Sequence, residues 1–126
     1  MTLPKLPADY PYPIVIAIHM PDTFTKSFAE HLNSDSIIIY IPSANLLLSS
    51  CAKIFKENTC GIVMTGMGDD GSKGIVDVKK NGGITVAEDP KSAILWAMPE
   101  NAIKTGCVDF VLKKDEIPEF LVKIAK

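Results

Sequence analysis

Apolar residues along this chain follow two patterns that take turns. Ile14-Val15-Ile16-Ala17-Ile18 and Ile37-Ile38-Ile39-Tyr40-Ile41 are short, uniformly apolar, β-branched runs, which suit strands covered on both faces. Between them Phe24, Phe28, Ala29 and Leu32 recur at helical spacing behind Thr23, predicting a helix over roughly 24–33 that ends at Asn33-Ser34. Pro42 stops the second strand, and Ser43 then caps a helix whose Leu47, Cys51, Ile54 and Phe55 share one face.

The pattern continues with a strand over Cys60 to Thr65 and a glycine-framed turn, Gly66-Met67-Gly68-Asp69-Asp70-Gly71. A helix carrying Ile75 and Val78 follows and closes at Gly82-Gly83, and a strand over 84–87 comes next. Pro99 suits the first turn of a short helix closed by Gly106, Val108 to Leu112 reads as a last strand, and Asp115 is the expected cap of a terminal helix through about Ile124. Regular alternation of strand and helix predicts an α/β fold: a single three-layer domain with a mostly parallel sheet flanked by helices and right-handed crossovers. At 126 residues the whole chain, 1–126, is expected to form that one domain.

Composition narrows the function classes. All thirteen basic residues are Lys and the net charge is −2, so no planar guanidinium is available for bidentate phosphate or guanine contacts, and nucleic acid is not an expected partner. The longest apolar runs fall far short of the ~20 residues of a membrane helix, and Met1-Thr2-Leu3-Pro4-Lys5 does not resemble a signal peptide, so no membrane insertion and a cytoplasmic location are expected. Cys51, Cys60 and Cys107 are odd in number and lack paired metal spacing, which suits reduced, partly buried thiols.

In open α/β sheets, ligands bind where the loops at the carboxyl ends of strands gather. His19 follows the strand 14–18, and Asp69 and Asp70 follow the strand 60–65. A histidine there is ordinarily a packed or surface residue, and an aspartate at a strand-to-helix turn is ordinarily an N-cap. Asp69, Asp70, Glu88 and Asp89 are oxygen donors for Mg²⁺ in principle, but their spacing matches no defined loop, so neither metal nor cofactor is predicted. Gly66 and Gly68 bring the Met67 N–H close to a bound group if the turn is an oxyanion site, or merely avoid steric clash if it is only a turn.

Several of these segments carry a resemblance. Pro13-Ile14-Val15-Ile16-Ala17-Ile18-His19-Met20-Pro21 with Phe24-Thr25-Lys26-Ser27-Phe28-Ala29 resembles the central segment of the CheB family of chemotaxis protein-glutamate methylesterases. Pro42-Ser43-Ala44-Asn45-Leu46-Leu47 resembles that family's Pro-Ser-Val-Asp-x-Leu helix start. Thr65-Gly66-Met67-Gly68-Asp69-Asp70-Gly71 resembles its Thr-Gly-Met-Gly-x-Asp-Gly turn, and Met98-Pro99-x-x-Ala102 its Met-Pro helix start.

The resemblance implies a Ser-His-Asp site that hydrolyses methyl esters of chemoreceptor glutamates and deamidates glutamines. His19 would be the base, Asp70 the orienting carboxylate and Met67 a backbone oxyanion donor. The partner it implies is the cytoplasmic domain of a methyl-accepting chemoreceptor. The family's nucleophilic Ser lies ahead of every segment matched here, and Ser27, Ser43, Ser72 and Ser92 read as helix faces or caps. The expected domain is therefore shortened, lacking the family's first strand and part of a segment between about 33 and 42, with no receiver domain.

Further departures are Ile18 for Gln, Asn45 for Asp, Glu88 for Gln and Ala97 for Gly. On this reading the chain is inactive as an esterase by itself. The alternative is a non-catalytic binding or assembly module that engages the receptor or, through an unpaired sheet edge, a second copy of itself.

Overall fold

The computed structural model describes residues 43–125 together with 6, 7, 9–12, 14, 15 and 17. Two compact units are present: Ser43–Lys114, and Met1–Pro42 with Asp115–Lys126. The first holds the sheet.

Helix α1, Ala44–Phe55, starts where Ser43 turns extended and its hydroxyl accepts the Leu46 N–H at 3.2 Å. After a 3-10 turn, Lys56–Asn58, come strand β1, Cys60–Val63, helix α2, Ser72–Lys80, and strand β2, Ile84–Glu88. Helix α3, Ala97–Lys104, and strand β3, Phe110–Leu112, complete the unit. The sheet order is β1-β2-β3 and both pairings are parallel, with Cys60 opposite Ile84 and Val86 opposite Phe110. Parallel pairing needs a long crossover between neighbours, and here a helix supplies it between each strand and the next. This is the α/β fold expected from the alternation of patterns.

Val63, Ile75, Met98 and Ala102 form the buried cluster, with Ala44, Leu48, Cys107 and Val108 packed around it. β1, α2 and α3 thus meet at one centre, and α1 lies against α2. At that helix contact a Cβ on Gly74 would stand 2.6 Å from the Leu48 Cβ and 3.2 Å from the Asn45 Cα. Only glycine allows the two helices to come this close.

Element boundaries depart from the sequence pattern in places with physical causes. β1 stops at Val63 rather than Thr65 because the Thr65 N–H is taken by the Glu88 carboxylate at 3.0 Å instead of by the ladder. β3 starts at Phe110 rather than Val108, because Asp109 folds back to Thr85: its N–H reaches the Thr85 O at 3.0 Å, and its Oδ2 accepts the Thr85 N–H at 3.1 Å.

The second unit contains helix α4, Ile117–Ile124, which buries Ile117, Pro118 and Leu121. Asp115 is not its cap, contrary to expectation. It lies in the 3-10 turn Lys114–Glu116, the N-cap is Glu116 without a side-chain cap bond, and Pro118 occupies the first turn, where a missing N–H has no cost. The expected strands at 14–18 and 37–41 and helix at 24–33 lie wholly or partly outside the described residues, and Ile14, Val15 and Ala17, which are described, are not in regular secondary structure. Among the described residues no helix is long and apolar enough to cross a membrane.

The three cysteines are free thiols, each half-buried. Burial pushes the Cys60 thiol up to about 11, with the nearby Asp109 charge adding to the effect, so it is an unreactive thiol at neutral pH.

The Lys79 ammonium, hydrogen-bonded to Asp109 Oδ1 at 2.5 Å, holds the Asp109 carboxyl below its ordinary value, and the Thr85 N–H helps. A carboxyl lowered in the folded state stabilises it fully above the unfolded value, ~3.9, and stops doing so as pH falls through the folded value. Asp109→Asn is therefore expected to lower the urea midpoint at pH 7 by a margin that shrinks steadily below about pH 4. Denaturation curves of both proteins from pH 7 to pH 3 check this, and a margin independent of pH would contradict it.

Candidate functional site at the carboxyl edge of the sheet

β1 delivers the chain into the turn that the sequence singles out, and side chains from three other elements hold that turn. Glu88, 1% exposed at the carboxyl end of β2, accepts the Thr65 N–H through Oε1 and the Ser92 hydroxyl through Oε2 at 3.2 Å. Thr65 Oγ1 accepts the Leu95 N–H at 2.8 Å, and the Gly66 N–H returns to the Leu95 O at 2.9 Å. The Met98 N–H bonds the Gly66 O at 3.1 Å, and the Asn101 side-chain amide bonds the Gly68 O at 2.9 Å. Gly66 is glycine because of this close packing: a Cβ there would stand 2.1 Å from the Met98 sulfur.

Held on both flanks, the turn presents Met67. Its residue is 76% exposed, and its N–H has no hydrogen-bond partner among the described residues. An amide fixed in place with no acceptor among the described residues is the kind of donor that binds a developing oxyanion.

Asp70 closes the turn, and its carboxylate reaches across to the start of α1. Oδ2 accepts the Ala44 N–H at 2.7 Å and Oδ1 the Asn45 N–H at 2.9 Å. With Ser43 on the Leu46 N–H, the first three amides of α1 all have partners, and the anion sits at the positive end of the helix. The ordinary reading of Asp70 as the cap of its own helix is thus corrected: it caps α1.

The N-cap of α2 is Gly71, in the left-handed region at φ 100°, with no side chain to offer. Asn45 supplies the missing acceptor. Its Oδ1 takes the Gly71 and Gly74 N–H groups, each at 2.9 Å. Each helix start therefore uses a side chain from the other.

Of the residues predicted to form the site, Asp70 and Met67 are brought into one turn, while His19 lies outside the described residues, as does Ser27. The Ser43 hydroxyl is a helix cap, Ser72 is the first residue of α2 with its hydroxyl buried and without a partner among the described residues, and Ser92 sits in a turn against Glu88 rather than on a helix. Three of the four carboxylates considered for Mg²⁺ are otherwise engaged: Asp70 on α1, Glu88 on Thr65 and Ser92, and Asp89 on the Lys91 N–H at 2.9 Å. Among the described residues no cluster of three or more His, Cys, Asp or Glu is suited to hold a metal ion.

The roles of Asn45, Glu88 and Asn101 as holders of the turn are not visible in the sequence pattern. Only the Ser43-Ala44-Asn45 start hints at capping, and there the pattern points to Ser43.

Asp70→Ala is expected to lower folding stability by about 1–2 kcal/mol, because it strips two amides of α1 of their acceptor. Chemical denaturation reads this, and an unchanged midpoint would contradict it.

Comparison with known proteins adds a family. The profile described as CheB methylesterase matches residues 1–39 and 34–121. The protein-glutamate methylesterase/protein-glutamine glutaminase of Pyrococcus horikoshii is 36% identical over 165 residues, covering 95% of this chain and 45% of that protein. The corresponding protein of Thermotoga maritima is 31% identical over 169 residues, covering 98% of this chain and 49% of its own length. The chain spans about half the length of these relatives. The crystal structure of the Thermotoga maritima CheB methylesterase catalytic domain matches with a TM-score of 0.88 at 31% identity, over 97% of this chain and 88% of that one.

Proposed function

The chain belongs to the CheB methylesterase family, and on that premise we propose that it carries the acid–base and oxyanion part of a site for methyl-esterified glutamate and glutamine side chains of chemoreceptors. The observation that carries this reading is the Met67 N–H, without a partner among the described residues, in a braced turn that also holds the anchored Asp70 carboxylate.

In this reading the imidazole of His19 removes the proton from an attacking hydroxyl, and the hydroxyl oxygen bonds to the ester carbonyl carbon. The carbonyl oxygen becomes an oxyanion that the Met67 N–H stabilises. His19 then returns the proton to the departing methoxide, giving methanol, and repeats the transfer with water to release the glutamate. Asp70 orients the ring and stabilises its charged form throughout. For glutamine the leaving group is ammonia and the sequence of transfers is the same.

No serine in these 126 residues matches the position of the family's nucleophile. Removing the serine from a comparable triad costs on the order of 10⁶ in turnover, so by themselves these residues are proposed to bind the receptor without measurable hydrolysis. Cytoplasmic location, the setting of the receptor's signalling region, goes with this proposal.

The test pairs two measurements on the 126-residue chain. A serine-directed fluorophosphonate probe should leave it unlabelled, and a methylated receptor cytoplasmic fragment should bind saturably while releasing no methanol. Stoichiometric labelling that His19→Ala abolishes would overturn the inactive reading, and absence of saturable binding would overturn the receptor-directed one.

A further inference from the structure

We infer that Asn81 is a modification site, where this chain loses ammonia without a catalyst and becomes aspartate or isoaspartate, at a rate set by opening of the C-terminal end of α2. The site lies at the far end of α2 from Asp70 and uses none of the residues of the Met67 turn.

Of the five asparagines in the sequence, only Asn81 is followed by glycine. Loss of ammonia begins when the backbone nitrogen of the next residue reaches the asparagine Cγ, and a Cβ on that next residue stands in the way. Gly82 has none. Its nitrogen gives up a proton to solvent and bonds to the Asn81 Cγ, while the Cγ–Nδ2 bond breaks and ammonia departs with a proton from water. Water then opens the resulting succinimide at one carbonyl or the other, leaving aspartate or isoaspartate.

In the folded chain both the attacking and the departing nitrogen are engaged. Asn81 is the C-cap of α2, and its Nδ2 donates to the Asp77 O at 2.8 Å. The Gly82 N–H donates to the Lys79 O at 3.1 Å and the Gly83 N–H to the Val78 O at 3.0 Å, with Gly82 in the left-handed region at φ 87°. This crossed pair of bonds is the Schellman closure of a helix end. The bonds that satisfy the last carbonyls of α2 therefore also withhold the nucleophile, and ring closure waits until the last turn opens.

Neither product fits the closed turn. Aspartate places a carboxylate where Nδ2 donated, against a carbonyl at the negative end of the helix. Isoaspartate lengthens the backbone by a methylene beside Gly83, where even a Cβ would stand 2.6 Å from the Thr59 O and 2.8 Å from the Val78 Cγ1. A modified chain thus keeps a loosened α2, the helix whose first amides are held by Asn45.

The test follows the tryptic peptide that begins at Asn81, by mass and chromatography, while the full chain is kept at mildly alkaline pH with and without concentrated urea. In urea Asn81 should convert ahead of every other asparagine, and without urea at least about tenfold more slowly, since conversion then requires local opening. Gly83→Ala keeps the Asn-Gly pair but crowds Thr59 and Val78, and it should raise the rate without urea by at least about fivefold.

Another asparagine converting first in urea, or equal rates with and without it, overturns the inference. An unchanged rate in Gly83→Ala overturns the gating by the helix end. Should Gly83→Ala not fold, the native chain decides in urea below its unfolding midpoint: conversion of Asn81 should rise in step with hydrogen exchange at the Gly82 amide, and conversion that does not follow that exchange overturns the inference.

Discussion

Two helix starts that complete each other are the constraint on which the rest of this structure depends. α1 begins with amides that point at Asp70, and α2 begins with amides that point at Asn45. A helix start leaves several N–H groups without partners in its own backbone, and half-buried ones are costly to leave so. Here neither helix satisfies that need alone. The exchange locks α1 and α2 together at their N-terminal ends, and Gly74 permits the approach that makes it possible. Because Asp70 closes the turn after β1, the same exchange decides where that turn stands relative to the sheet.

The consequence for chemistry is preorganisation. Oxyanion stabilisation depends on donors that are already in place before charge develops, since reorienting them during the reaction costs much of the benefit. The turn carrying Met67 is held by the buried Glu88 on one flank, by Leu95, Met98 and Asn101 on the α3 side, and by the Asp70–Asn45 exchange at its end. The chain belongs to the CheB methylesterase family, and under the function proposed above such bracing would give an acyl-transfer site a fixed amide and a fixed carboxylate at one edge of a parallel sheet. The negative charge of Asp70 is at home there, because it faces the positive end of a twelve-residue helix.

Much of the fold was legible in the pattern of apolar residues. Ser43 as a cap, the glycine turn between β1 and α2, and the parallel order of the sheet all follow from local spacing and from strand–helix alternation, whereas the pattern carries the first helix to about Glu57 and α1 ends at Phe55, giving way to a 3-10 turn. What escaped were contacts between distant residues. Asn45 and Gly74 are twenty-nine positions apart, as the Asn45–Gly74 hydrogen bond records, and nothing in either neighbourhood announces the bond. Glu88 looked like one of several acidic residues, yet it is buried as the acceptor that ends β1. Asp115 shows the opposite failure: its local pattern suggested a cap, yet it lies in the 3-10 turn before α4, whose start has no side-chain cap bond. The place of His19 rests on resemblance, as that residue lies outside the described ones.

A double-mutant cycle between Asp70 and Asn45 tests the reciprocal exchange most directly. If each side chain works only while the other holds its helix in place, the second truncation to alanine should cost much less than the first, with a coupling of about 1 kcal/mol or more by urea denaturation. Additive losses, agreeing within about 0.3 kcal/mol, would mean that the two caps act independently and would contradict the account.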